Sequence, residues 1–245
     1  PGTPTTSLPG ATETSSGSTS DASSDATSRP TTSTDPGTTG DGTTGPDMCG
    51  NGVIDPGEGC DPGVLRDAVG CGQDCQRSGR FVFVTIETIA GADVGVGEGL
   101  ALCNQVGPQF SGLPPISYMV WLSEANSSAS TRIDESDLPF IRVDGTIVAE
   151  DRDAFVMGPH LAPINMTPNG MEIGSAAPDC SDIGTLVWTG TEANGEWAAE
   201  TCTNWSVSDP MIYGALGTLH QSDERWTRTC TLNCATLARV YCVEN

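Results

Sequence analysis

The chain has 245 residues, of which 36% are hydrophobic and only 5% aromatic, and it carries a formal net charge of -22, with Arg as its only strong cation and no Lys. That excess of acid repels DNA, RNA, heparin-like polyanions and anionic lipid surfaces, whose phosphates and sulfates need clustered cations. No apolar run reaches the roughly 18 residues of a membrane-spanning helix, so any membrane association is expected through an N-terminal anchor alone.

Residues 1–47 contain no aromatic residue and consist almost wholly of Thr, Ser, Gly, Pro, Asp and Ala. Such a segment cannot bury enough apolar surface to offset its chain entropy, and it reads as a disordered tether. The sequence begins at Pro1 without a visible signal peptide. The reading is that a targeting segment has been removed or left out, and that the tether holds a displayed domain off a membrane, as in an anchored lipoprotein at a bacterial outer surface. A plain interdomain linker is the alternative.

Residues 48–80 form a small module with four cysteines, Cys49, Cys60, Cys71 and Cys75. Its apolar filling is thin, so it needs disulfides to fold. The text CGNGVIDPGEGCD resembles a cysteine-rich repeat of secreted myxobacterial proteins, itself similar to Notch-type repeats. The acidic oxygens that could hold calcium are thinned here to Asp55, Glu58, Asp61 and Asp67. Asp55 and Asp61 are kept as candidate calcium ligands, although calcium prefers six to eight oxygens and a spacer held by disulfides alone is the preferred reading. No other cofactor is expected.

From Phe81 the pattern changes. Phe81–Glu87 alternates and is β-branched, as a strand would be. Glu98–Val106, around Cys103, reads as a helix, Ser117–Ser123 as a second strand, and Phe140–Gly145 as a strand ending in an Asp-Gly turn. Asp153–His160 reads as a helical turn and 161–184 as loop. Thr185–Trp188 and Ala238–Cys242 have strand composition, and the polar text between them, 189–201 and 206–228, reads as long loops. Ten cysteines, an even number with no CxxC pair, point to five disulfides in an oxidising compartment.

The order of FVFVT, a helix with one Cys, a strand ending in Trp-Leu-Ser, then FIRVDGTIVA, LAPINMTPNG, VWTGTEANG, CTNW and RVYCVEN resembles a bacterial secreted domain of unknown function. That domain is found in leptospiral and myxobacterial proteins and is related to endostatin. The resemblance covers residues 81–245. It implies an α+β, C-type lectin-like (endostatin-like) fold, with two helices, paired terminal strands and a long loop region. It also implies the disulfides Cys103–Cys242 and Cys202–Cys234, which leaves Cys180 and Cys230 to form a third bond, with the four module cysteines paired among themselves.

Glu192-Ala-Asn194 has the outer residues of the calcium-dependent sugar motif of C-type lectins but lacks its proline, and no Trp-Asn-Asp occurs. The histidine cluster and arginine patch that serve zinc and heparin in endostatin are missing. His160 and His220 are the only histidines and read as exposed loop residues; no GxSxG or HExxH motif occurs, and the chain reads as non-catalytic. Trp188, Trp197, Trp205 and Trp226 could line a carbohydrate groove; core packing is preferred for Trp188 and Trp205, and Trp197 is expected to be exposed. The contact surface is therefore placed at Glu192, Asn194, Glu196 and Trp197, on an extracellular or cell-surface module that binds a protein or glycan. The alternative is a structural surface component, a coat or filament subunit that self-associates.

Overall fold

Phe81-Val-Phe-Val84 is a continuous apolar run, and such runs suit a strand covered on both faces. The computed structural model, which describes Gly2 and residues 49–63, 69–108, 116–174 and 179–245, places it in β1, Arg80–Val84, where all five residues are buried. The predicted tether apart from Gly2, and Arg66 and Asp67, lie outside the described residues. The elements that follow are β2 (Ile89–Ala90), α1 (Val96–Val106), β3 (Tyr118–Val120), β4 (Phe140–Ile141), β5 (Ile147–Ala149), α2 (Arg152–Met157), β6 (Leu186–Trp188), β7 (Tyr213–Thr218), β8 (Cys230–Asn233), β9 (Leu237–Ala238) and β10 (Tyr241–Glu244). The fold is mixed α+β, with few helices and several sheets.

The largest sheet has the order β3-β10-β1-β4-β5. β1 runs antiparallel to β10, with Val82 opposite Val243 and Phe83 opposite Cys242, and parallel to β4. Side chains alternate across it with period two. Phe81, Phe83, Tyr118, Val120 and Cys242 enter one core, beneath α1; Val82, Val84, Met119, Trp121, Tyr241 and Val243 enter a second, with Phe155 and Trp226. Burying each such aromatic or branched side chain contributes about 1.5–3 kcal/mol.

α1 has no side-chain cap of its own; the Glu124 carboxylate accepts the Val96 N–H at 3.0 Å from across the chain. It lies close on β3: a Cβ on Gly99 would come within 3.0 Å of Val120. The Asn104 amide accepts the N–H of Tyr118 at 2.9 Å and donates to its carbonyl at 2.6 Å, which closes that position of the edge strand. α2 is capped by Asp151, whose side chain accepts the Ala154 N–H at 2.8 Å.

The Ala238–Cys242 segment is not one strand. At Arg239 the chain turns to bridge β6, where Trp188 N–H donates to the Arg239 carbonyl and Arg239 N–H donates to that of Leu186. The run is thereby divided into β9 and β10. Nor is 206–228 wholly loop: Tyr213–Thr218 is the central strand of the sheet β6-β7-β8. Its glycines hide it from propensity. A Cβ on Gly214 would meet Cys202 Sγ at 2.7 Å and Trp188 at 2.7 Å, and one on Gly217 would fall 1.8 Å from the Trp226 carbonyl oxygen. Only glycine admits those approaches.

The cysteines form five disulfides: Cys49–Cys75, Cys60–Cys71, Cys103–Cys242, Cys180–Cys230 and Cys202–Cys234. Residues 44–245 form one unit. Within it the four-cysteine module packs on the larger domain, where Arg77 lies over the Phe81 ring and pairs with the Glu244 carboxylate. Among the described residues no helix is long and apolar enough to cross a membrane.

Candidate functional site

Beyond β6 the chain makes a hairpin, with Thr191 bridged to Trp197. Asn-Gly is the turn signal, and Gly195 takes a φ of 80°. Glu192 N–H donates to the Glu196 carbonyl at 2.8 Å, Gly195 N–H to that of Glu192 at 2.9 Å, and Glu196 N–H to Asn194 Oδ1 at 3.1 Å. The four residues singled out from the sequence, Glu192, Asn194, Glu196 and Trp197, thus lie on one turn. Asn194 and Glu196 are exposed, and Trp197 is 41% exposed.

The turn is held on three sides. A Cβ on Gly195 would come within 2.6 Å of Val156, so the tip rests on α2. Trp197 N–H donates to Ser128 Oγ at 3.2 Å. Arg228 lies between Glu192 at 3.4 Å and Glu200 at 3.0 Å. Glu192 is therefore spent on an ion pair, which leaves Glu196 and Trp197 as the freer groups.

Under the turn lies a buried polar chain that the sequence reading did not single out. Ala129 N–H donates to Ser123 Oγ at 2.8 Å, Ser123 Oγ lies 2.8 Å from Thr191 Oγ1, and Thr191 Oγ1 donates to the Thr189 carbonyl at 2.7 Å. Thr189 Oγ1 donates to the Thr227 carbonyl at 2.6 Å, and Trp121 Nε1 to Thr227 Oγ1 at 2.9 Å. Satisfied buried networks of this kind fix a single arrangement. The signal was present as Thr-Gly-Thr after one strand and Trp-Leu-Ser after another, but nothing local says that the two meet.

Next to the turn, Cys202, Thr203, Asn204 and Trp205 all have positive φ, from 51° to 59°. Left-handed residues normally occur singly. The run is bolted at both ends, by the Cys202–Cys234 disulfide and by Trp205 Nε1, which donates to the Ser123 carbonyl at 2.8 Å. Asn204 Oδ1 also accepts the Ala125 N–H at 2.6 Å.

The tryptophans divide clearly. Trp188, Trp205 and Trp226 are buried, so Trp226 joins the core instead of a groove, and Trp197 stands at the surface. His160 is not the exposed loop residue expected from the sequence. It is 5% exposed, stacks on Phe155, and has Nε2 at 2.8 Å from the Phe155 carbonyl oxygen. Burial lowers its pKa to about 4. His220 Nε2 lies 2.5 Å from the Gly174 carbonyl oxygen.

In the module, Asp61 accepts the N–H groups of Gly50 at 2.8 Å, Gly52 at 3.1 Å and Gly63 at 2.6 Å, while Asp55 accepts from Asn51 Nδ2 at 2.9 Å. Asp61 thus works as the internal anion of a glycine-rich loop. Among the described residues the group of three ligand atoms close enough to share an ion is Cys49, Glu58 and Cys75, and both of its sulfurs are in a disulfide. Apart from the hairpin, a shallow cleft of about 250 Å³ is lined by Arg80, Asp134, Glu135, Ser136, Leu138, Glu244 and Asn245.

No protein-family model matches the chain, and no curated protein matches it.

Proposed function

We propose that residues 81–245 are a non-catalytic extracellular binding module of C-type lectin-like, endostatin-like type, displayed on the N-terminal tether, which takes a protein or glycan ligand at the 191–197 hairpin. The observation that carries this reading is Trp197: a large side chain, 41% exposed, on a turn tied by the N–H bonds of Glu192, Gly195, Glu196 and Trp197 and with a buried base. An aromatic face offered from a rigid loop contributes contact area at low entropic cost. The paired first and last strands and the disulfide from α1 to β10 support the fold assignment. The non-catalytic reading is supported by the two histidines, each of which faces a backbone carbonyl. Anchoring through a lipid at the N-terminus rests on the composition of residues 1–47.

The test is a glycan array together with size-exclusion chromatography. A specific hit by a monomer that is lost in Trp197→Ala supports the module. The alternative, a coat or filament subunit, draws on Met211, Leu161 and Met157, which are 80%, 65% and 62% exposed and offer apolar contacts to a second copy. Ordered self-association without a ligand would establish it.

A further inference from the structure

We propose that His160 is an acid-sensitive clasp for the hairpin that carries Trp197; as regulation of that site, it rests on the reading above. The imidazole lies between Phe155 and Trp226, with ring centroids 5.1 and 4.4 Å away. Nε2 faces a carbonyl oxygen at 2.8 Å and so carries the proton. Nδ1 is buried and unpartnered. A second proton must go to Nδ1, where it becomes a buried donor with no acceptor in reach.

The clasp joins the two elements that hold the hairpin. Phe155 precedes Val156, on which Gly195 rests. Trp226 precedes Thr227, whose carbonyl takes the Thr189 hydroxyl, and Arg228, which pairs with Glu192 and Glu200. The backbone N–H of His160 itself donates to the Ser222 carbonyl at 2.6 Å, which ties the corner after α2 to the segment leading into Trp226. Protonation therefore pushes apart the supports on either side of the turn.

The elements packed around the ring carry Glu150, Arg152 and Asp153 near α2, Asp223, Glu224 and Arg225 ahead of Trp226, and Tyr241, whose hydroxyl donates to the Thr218 and Trp226 carbonyls. Burial is the main influence on the titration of His160, and its bond to the Phe155 carbonyl opposes it. Its pKa is lowered to about 4 in the closed form, against about 6.5 when the ring is open to water. Linkage then makes opening roughly 20-fold more favourable at pH 5 than at pH 7.

Hydrogen exchange on the full chain, corrected for intrinsic rates, tests this without any ligand. The Glu192, Gly195 and Ala198 amides should lose protection by roughly 20-fold between pH 7 and pH 5, and His160→Gln, which keeps a donor toward the Phe155 carbonyl, should abolish that pH dependence. Unchanged protection in the wild type, or the same loss in His160→Gln, overturns the clasp. Should His160→Gln fail to fold, the His160 ring resonance is titrated in the wild type: hairpin amide shifts that follow its midpoint support the clasp, and a ring that titrates near 6.5 without them overturns it. A negative glycan array bears on the proposed function alone and leaves the exchange result standing.

Discussion

The Phe81 backbone N–H, in the first strand of the domain, donates to the Glu244 carboxylate in the last strand at 2.7 Å. The same carboxylate pairs with Arg77 of the cysteine module, and the Glu244 carbonyl accepts from Arg80 Nε at 3.1 Å. One buried residue thus joins both terminal strands and the module. Burial pushes the carboxyl above its ordinary range, with Arg77 and the Phe81 amide pulling it back.

Removal of that charge leaves Arg77, whose side chain is only 14% exposed, without its counter-ion. Breaking such a pair costs about 3–5 kcal/mol, so Glu244→Ala should lower the urea midpoint severely, and Glu244→Gln, which retains an acceptor for Phe81, should cost less. Equal and small losses in both would show that the pair contributes little.

Thr203 is exposed and β-branched, with a φ of 54°, in the region that costs non-glycine residues about 1–2 kcal/mol. Thr203→Gly should therefore raise stability by a few tenths to about 1 kcal/mol, once the added chain entropy is subtracted. Differential scanning calorimetry of the two proteins decides the sign.

The Cys103–Cys242 bond closes a separation of 139 residues and Cys202–Cys234 one of 32. By loop entropy the first contributes up to about 5 kcal/mol and the second up to about 4. Both pairs are fully buried in the same core, so the double replacement Cys103→Ala with Cys242→Ala should be the more damaging of the two in denaturant titrations because it opens the longer loop.

Trp197→Ala should change the melting temperature little, as expected for a side chain 41% exposed with no core neighbours on its open face, and should weaken ligand binding at least tenfold. A melting temperature that falls as far as for a buried tryptophan would assign Trp197 to the packing of the hairpin.

Legibility followed the range of the interaction. Strand β1, helix α1, the Asn-Gly hairpin and the exposure of Trp197 could be read because period, β-branching and turn residues are local signals. Strand β7 could not, because Gly214 and Gly217 are demanded by Trp188, Cys202 and Trp226, which lie far away in sequence. His160 was misread for the same reason: the flanking Pro159 and Leu161 are exposed, while Phe155 and Trp226 close over its ring. The network through Ser123, Thr191, Thr189 and Thr227 consists of short hydroxyl residues that read equally well as loop.

The arginines carry a last consequence. Each described one is already bonded, whether to carbonyls, as Arg239 to those of Thr85 and Ile86, or to carboxylates, as Arg225 to Asp223. With no lysine in the chain, a trypsin-like protease meets no unengaged basic side chain on the described surface. Cleavage at the described arginines therefore waits on local opening, and its rate follows the population of the opened forms.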